Sequence, residues 1–157
     1  MDSSILFLGK KAKITQIKMF GLEDLTEPRS GEEVSVSYFM LSLMQISMQA
    51  KILHWQTDFD TEHRHFGMFY DEFSGQMDNL VEVVAGKYGK DKLCFGQAAV
   101  SVYDYATARQ AFFELVDECL IDCVCQIFDK EKDSEIFNLA DEIIALKNKV
   151  QYLLQLK

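Results

Sequence analysis

The chain contains one proline, Pro28, and no proline follows it. Proline inside a helix removes a backbone hydrogen bond and clashes with the preceding turn, and it is common in the turns of β proteins. A long stretch without proline therefore favours long helices. Residues 1–33 differ, because they hold Pro28, three glycines and no sustained apolar period. We expect an irregular N-terminal arm over residues 1–33 and one folded domain over residues 34–157.

Apolar residues recur at helical spacing in four segments of this domain. In the second segment, Phe66, Phe69 and Phe73 share one face, and Gly86 and then Gly89 are signals for a helix end. The predicted helices are A at about residues 34–56, B at about 61–85, C at about 105–129 and D at about 135–156. Short A–B and C–D links and a longer B–C connection are typical of an up-down four-helix bundle. The predicted fold class is all-α.

The charge of the chain restricts its partners. A net charge of −9 discourages contact with nucleic-acid backbones. The first twenty residues are nevertheless basic, with four lysines against Asp2 alone; these are Lys10, Lys11, Lys13 and Lys18. A solvated tail is the ordinary outcome for such an arm, and contact with an acidic partner or with nucleic acid is the alternative. Of these, nucleic acid is the weakest prediction.

Residues 34–50 carry no charge and are the best candidate for a membrane span. They are shorter than the roughly 20 apolar residues that a span needs, and they include several serines and glutamines. We therefore predict no membrane contact.

The four cysteines form neither a disulfide framework nor a CxxC zinc pattern. Three of them, Cys119, Cys123 and Cys125, fall within the apolar run of helix C. We expect structural thiols in a reducing, cytoplasmic setting.

All three histidines and the only tryptophan lie within residues 51–73. At about 100° per residue, His54 falls on one helical line with Met40 and Ala50, and so faces the packed side of helix A. A histidine there needs a carboxylate, a carbonyl, water or a metal ion at each ring nitrogen. Ordinary hydrogen bonding is the more common outcome. We expect Trp55, like the phenylalanines of helix B, to be core.

Acidic side chains supply further candidate ligands. Asp71, Asp78 and Glu82 form a stripe on helix B opposite its apolar face, and His63 borders this stripe. Simple solvation of the stripe is the alternative.

Helix D adds Asn138, Asp141 and Glu142 near one edge. Imidazole and carboxylate groups from several helices form the ligand set that iron, manganese or zinc prefers. His54 and the acidic stripe of helix B face different ways, so one bundle cannot readily bring them together. A site shared between two subunits would resolve this conflict.

The segment AKILHWQTDFDTEHRHFGMFYDEFSGQMDNLVE, residues 50–82, resembles the signature of the Dps-type ferritin-like proteins. There a His-Trp pair ends the first long helix, a second His begins the next, and D-x-x-x-E lies further along it. The matching positions are His54–Trp55, His63, Asp78 and Glu82. The resemblance implies a ferritin-like bundle that binds iron, or another divalent transition metal, across a dimer interface. It therefore implies a homo-oligomer, at least a dimer.

The pattern HWQT…GKYG, with NLADE…YLL near the C-terminus, is still more similar to small uncharacterised ferritin-like proteins of large DNA viruses and phages. This resemblance adds Asn138, Asp141 and Glu142 to the matching positions. It implies a viral source, a place in the host cytoplasm or the virion, and viral structural partners for the arm. It implies no established activity.

The chain departs from the Dps pattern around the second histidine. The loop between the histidines is shorter by about three residues. Arg64 replaces the acid that follows the second His, and Gly67 replaces a carboxylate one turn later. His65 has no counterpart, and we expect it at the surface. The function expected is metal binding, with weak iron oxidation at most. The alternative is a non-catalytic structural protein, such as a viral particle component, that keeps the bundle without the metal.

Overall fold

A computed structural model describes residues 35–156, and the predicted arm, residues 1–33, lies outside this range. The described residues form helices and turns and contain no β-strand, which confirms the all-α prediction. None of the described helices is long and apolar enough to cross a membrane. The elements are α1 (Val36–Gln56), α2 (Asp60–Tyr88), a 3₁₀ turn (Lys90–Leu93), α3 (Tyr105–Ala108), α4 (Phe112–Asp117), a π-helical turn (Glu118–Cys123), α5 (Val124–Ile127) and α6 (Ser134–Leu153).

Helix α1 has nearly the bounds of predicted helix A. The Ser35 hydroxyl caps its first turn by accepting a hydrogen bond from the Tyr38 N–H at 3.1 Å. Because α1 is apolar around most of its circumference, most of its side chains are buried. Buried Gln49 donates to the Tyr103 carbonyl and accepts from the Tyr103 N–H, both at 2.8 Å. This pair of bonds holds the irregular segment before α3 against α1.

Helix α2 is longer than predicted helix B. It continues through Gly86 to Tyr88, and Gly89 follows with a φ of 102°. Glycine is the residue that adopts a positive φ readily. The predicted end at Gly86 was therefore wrong, and the second glycine signal is the one that ends the helix.

Predicted helix C is not one continuous helix. The chain forms α3, turns at residues 109–111, and continues through α4, the π-helical turn and α5. The turn lets Arg109 pair with Glu62 of α2 at 2.9 Å, while Phe112 is fully buried. In a π-helical turn the backbone hydrogen bonds skip one more residue, which changes the register of the helix but not its composition. The apolar period therefore could not predict either interruption.

Helix α6 begins one residue before predicted helix D and ends three residues earlier. Asp133, which precedes it, is almost completely buried and accepts from the Tyr88 hydroxyl at 2.6 Å and from the Asp129 N–H at 2.8 Å. Lys87 lies 2.7 Å from the same carboxylate. Burial raises the pKa of Asp133, but the hydrogen bonds from Lys87, Tyr88 and Asp129 outweigh it and hold the pKa below its usual value. This cluster joins the end of α2 to the start of α6.

The core is aromatic where α2 meets α4. Phe66, Phe69 and Phe73 are fully buried, as predicted, and the rings of Phe69 and Phe112 meet edge to face with centroids 5.3 Å apart. Nearby, Lys147 of α6 has a side chain only 8% exposed, and its ammonium lies 2.9 Å from the Asp117 carboxylate. The buried ammonium therefore has an anionic partner.

The four cysteines are free, and two of them behave as predicted. Cys119 and Cys123 are buried; desolvation, with the negative charges of Asp122 and Glu118 adding to it, raises the pKa of Cys123 to about 12. A thiol in that state is unreactive at neutral pH. Cys125 is exposed, as is Cys94.

Candidate metal-binding site

His54 and His63 meet where α1 turns into α2. Residues 57–59 link the two helices, and this short link folds the start of α2 back on the end of α1. The two imidazole rings stack with centroids 4.0 Å apart and planes inclined by 22°. Sequence reasoning placed the two histidines on separate sides of the corner, and the structure brings them into contact.

Each ring is anchored on the backbone of the other residue. His54 Nδ1 lies 2.6 Å from the His63 carbonyl oxygen, and His63 Nδ1 lies 2.8 Å from the His54 carbonyl oxygen. The His54 carbonyl is one of the last four in α1, which have no partner within the helix. The histidine pair therefore also satisfies the C-terminal end of α1.

These contacts decide which nitrogen of each ring is available. A carbonyl oxygen only accepts, so Nδ1 carries the hydrogen in both rings. In the neutral ring Nε2 then has a lone pair, and neither Nε2 has a hydrogen-bond partner among the described residues. A backbone carbonyl on the far nitrogen is the arrangement that orients metal-binding histidines in proteins.

Gly67 makes room for this arrangement. A Cβ at position 67 would lie 3.0 Å from both Cε1 and Nδ1 of His54. The His54 ring thus lies directly over the glycine, one helical turn after His63. Where the Dps pattern has a carboxylate, the structure has a glycine whose missing Cβ leaves room for the imidazole.

The stack restricts how the pair can bind a metal ion. Ring lone pairs lie in the ring planes, and planes inclined by only 22° at a separation of 4.0 Å do not converge within a metal–nitrogen bond of about 2.1 Å. In the described geometry the two Nε2 atoms do not chelate one ion. They serve separate ions, or one ring rotates when an ion binds.

Glu62 organises the polar side of the same corner, and sequence reasoning missed it. Its carboxylate accepts from Thr57 Oγ1 at 2.9 Å, from the Tyr105 hydroxyl at 2.7 Å and from Arg109 Nε at 2.9 Å. Burial raises the pKa of Glu62, but these donors together hold it below its usual value. An acid in the first turn of a helix was visible in the sequence. Two of its partners, Tyr105 and Arg109, lie more than forty residues away, and the sequence did not indicate them.

The predicted carboxylate ligands do not reach the histidines within one chain. Asp78 lies fifteen residues beyond His63 on the same helix, a rise of about 22 Å. Asp78, Glu82, Asp141 and Glu142 are all exposed. Within residues 35–156, no three or more His, Cys, Asp or Glu side chains are grouped closely enough to hold one metal ion.

Two expectations at this corner were wrong. His65 is half-buried rather than exposed, and its Nδ1 is shielded from solvent without a hydrogen-bond partner among the described residues. Trp55 is 64% exposed rather than part of the core. Both lie near helix ends, where the direction of a side chain depends on the neighbouring helix as much as on its own.

Residues 54–154 match a family described as a family of unknown function (DUF5856). The chain belongs to this family. The DUF5856 match begins at His54 and includes both histidines of the corner and all four candidate carboxylates. No curated protein and no solved structure matches the chain.

Proposed function

We propose that this chain is a ferritin-like, metal-binding protein that works as a homo-oligomer, with iron or another divalent transition metal bound at the α1–α2 corner. The proposed fold is an up-down four-helix bundle with a long connection between α2 and α4. The observation that carries the proposal is the histidine pair, in which both Nδ1 atoms are bonded to carbonyls and neither Nε2 atom has a hydrogen-bond partner within residues 35–156.

Two histidines alone make a weak site, so the remaining ligands must come from elsewhere. The rise of about 22 Å between His63 and Asp78 excludes a shared ion within one chain. We infer that a second copy supplies Asp78 and Glu82, with Asp141 and Glu142 as further candidates. Imidazole nitrogen and carboxylate oxygen together suit iron, manganese or zinc.

We propose that the protein binds metal, and we do not propose that it catalyses the oxidation of iron. Arg64 and Gly67 stand where the Dps resemblance places carboxylates, and the space at Gly67 is filled by the His54 ring. A viral or phage source, with the protein in the host cytoplasm or the virion, belongs to the same proposal and rests on sequence resemblance.

The second candidate is a structural protein without metal. It is favoured by the stacked rings, whose Nε2 atoms do not converge, and by their role in closing the end of α1. Under this alternative the histidine pair fixes the angle between α1 and α2 and does no more.

Metal content separates the two candidates. The full chain is purified without chelator, incubated with Fe²⁺ under anaerobic conditions or with Co²⁺, desalted and measured by elemental analysis. The proposal predicts near-stoichiometric metal in the wild type and strong loss in His54→Ala. Asp71→Asn changes an acid of the same stripe that is not a proposed ligand, and should retain the metal. A wild-type content below about 0.1 ion per chain would favour the structural candidate.

Mixing tests whether two copies share the site. Two double variants are prepared: one lacks the histidines (His54→Ala and His63→Ala), and the other lacks the carboxylates (Asp78→Asn and Glu82→Gln). Neither variant should bind metal by itself. In a symmetric dimer each mixed pair regains one of its two sites, so random exchange should restore about a quarter of the wild-type content. No recovery in a mixture whose exchange is verified would refute sharing.

A further inference from the structure

Helix α1 exposes apolar side chains on the side turned away from the core. Met44 and Met48 are 44% and 47% exposed, and Trp55 is 64% exposed. At helical spacing these three residues lie on one line along α1. Lys51, which reaches over the Trp55 ring with its ammonium 5.7 Å from the centroid, is the only Lys, Arg, Asp or Glu of this helix. A row of exposed apolar residues on one side of a helix marks an interaction site more often than scattered apolar residues do.

The outer side of α2 beside this line is acidic. Lys51 also lies 4.0 Å from the Tyr70 ring of α2, which places Tyr70 at the boundary between the two helices. Moving outward around α2 from Tyr70, the next line of side chains holds Asp71, Asp78 and Glu82, all exposed. Arg64, nearer the start of α2, lies on the same line and is paired with Asp60 at 2.6 Å. The two helices run antiparallel, so the apolar line on α1 lies beside Asp71, and the acidic line continues from there towards the start of α1.

The part of the chain before α1 has the complementary composition. Residues 5–22 read ILFLGKKAKITQIKMFGL, which combines apolar residues with four lysines and has no acid. Apolar groups suit the line on α1, and the lysines suit the acids on α2. The rest of the chain carries the excess of negative charge.

The connection is long enough for these residues to reach the surface. Met44 lies nine residues after Ser35, about 14 Å along α1. Residues 23–34, between the basic segment and Ser35, span up to about 40 Å when extended. The attachment at the start of α1 also gives the segment a high effective concentration at this surface.

We propose that residues 5–22 bind in cis along the exposed face of α1 and α2, with their apolar side chains on Met44, Met48 and Trp55 and their lysines beside Asp71, Asp78 and Glu82. The segment then covers the apolar line and neutralises part of the acidic one. This proposal does not depend on metal binding, although the covered acids include two of the proposed metal ligands.

Photo-crosslinking in the full chain tests the occupant directly. A photoreactive amino acid replaces Met48, and the protein is irradiated as an equal mixture of ¹⁴N- and ¹⁵N-labelled chains. The proposal predicts crosslinks from position 48 to residues 5–22 that carry a single isotope label. Crosslinks to α1 or α2 of the other label identify a second copy as the occupant and overturn the proposal, as does the absence of crosslinks to residues 5–22. The same photoreactive group at exposed Asn148 of α6 is the control and should not crosslink to this segment.

Trp55 provides an independent readout, because it is the only tryptophan in the chain. Replacing the four lysines of residues 5–22 with glutamate should release the segment and expose the Trp55 indole to solvent. The fluorescence emission of Trp55 should then shift to longer wavelength, and its acrylamide quenching constant should rise about twofold. Reversing four exposed lysines elsewhere, Lys90, Lys92, Lys130 and Lys132, keeps the change in net charge and should leave Trp55 unaffected. Equal quenching in the wild type and in both variants overturns the proposal. Protection of Trp55 from quenching that decreases on dilution also overturns the proposal, because binding in cis does not depend on protein concentration.

Discussion

Replacing Gly67 with alanine tests the histidine corner most sharply, because two effects of known sign oppose each other. Alanine inside a helix is more favourable than glycine by about 1 kcal/mol. The added Cβ, however, would lie 3.0 Å from His54 Cε1 and Nδ1. The stacked His63 ring and the bond to its carbonyl leave the His54 ring little freedom to move aside. We expect the ring to leave its position.

The cost follows from the contacts that are lost. The hydrogen bond from His54 Nδ1 to the His63 carbonyl and the stack of the two rings are worth about 0.5–1.5 kcal/mol each, so losing both costs about 1–3 kcal/mol. After the helix gain is subtracted, Gly67→Ala should lower the free energy of unfolding by about 0–2 kcal/mol. Gly75 lies in the same helix, and a Cβ there would meet no atom of the described part of the chain within 4 Å. Gly75→Ala should therefore raise the free energy of unfolding by about 1 kcal/mol.

Urea unfolding measures the difference between the two variants. With a slope of about 2 kcal/mol/M, the midpoints should differ by about 0.5–1.5 M. In a background that carries His54→Ala, the penalty should disappear, and Gly67→Ala should stabilise as Gly75→Ala does. If Gly67→Ala stabilises the otherwise unchanged protein by as much as Gly75→Ala, the His54 ring does not lie over position 67 and the corner geometry is wrong.

Two further predictions concern charges inside the fold. Glu62 and Asp133 have folded-state pKa values below their usual ones, so their contributions to stability are present above about pH 4 and are lost as the pH falls through the folded-state values. Thermal melts between neutral and acidic pH should show this loss as a falling melting temperature. Glu62→Gln and Asp133→Asn should each make the melting temperature less dependent on pH, and variants with the same pH dependence as the wild type would contradict the prediction. Asp117→Ala leaves the Lys147 ammonium, 8% exposed, without its partner and should cost about 3 kcal/mol. Lys147→Met leaves a carboxylate whose side chain is 37% exposed, although its Oδ1 is shielded from solvent, and should therefore cost less. Equal costs in urea unfolding would show that the pair is not buried as described.

The sequence predicted α2 and α6 well, because each has an apolar stripe over many turns. It predicted α1 well because a long, largely apolar run without proline favours one helix. It failed at predicted helix C, where the reason for the break lies in distant residues. Arg109 turns towards Glu62, and Phe112 turns into the core. A local pattern contains neither partner, and the π-helical turn leaves the composition unchanged.

The candidate site was predicted in its residues but not in its geometry. Helical positions placed His54 on the packed side of its helix, and the structure half-buries it. The stacking on His63 depends on how closely two helices approach, and the missing Cβ of Gly67 leaves room for the His54 ring between them. Gly67 was interpreted as the loss of a carboxylate ligand. The sequence shows that the side chain is absent, but it does not show that the His54 ring occupies the space.

The short link between α1 and α2 also has a consequence for the order of folding. His54 and His63 are nine residues apart, and their two hydrogen bonds close a small loop at little cost in chain entropy. The ion pair between Lys87 and Glu135 joins residues forty-eight apart and needs a much larger closure. Local contacts generally form earlier than distant ones. The α1–α2 hairpin is therefore the part of the domain best able to form first, as a template on which α4, α5 and α6 later assemble.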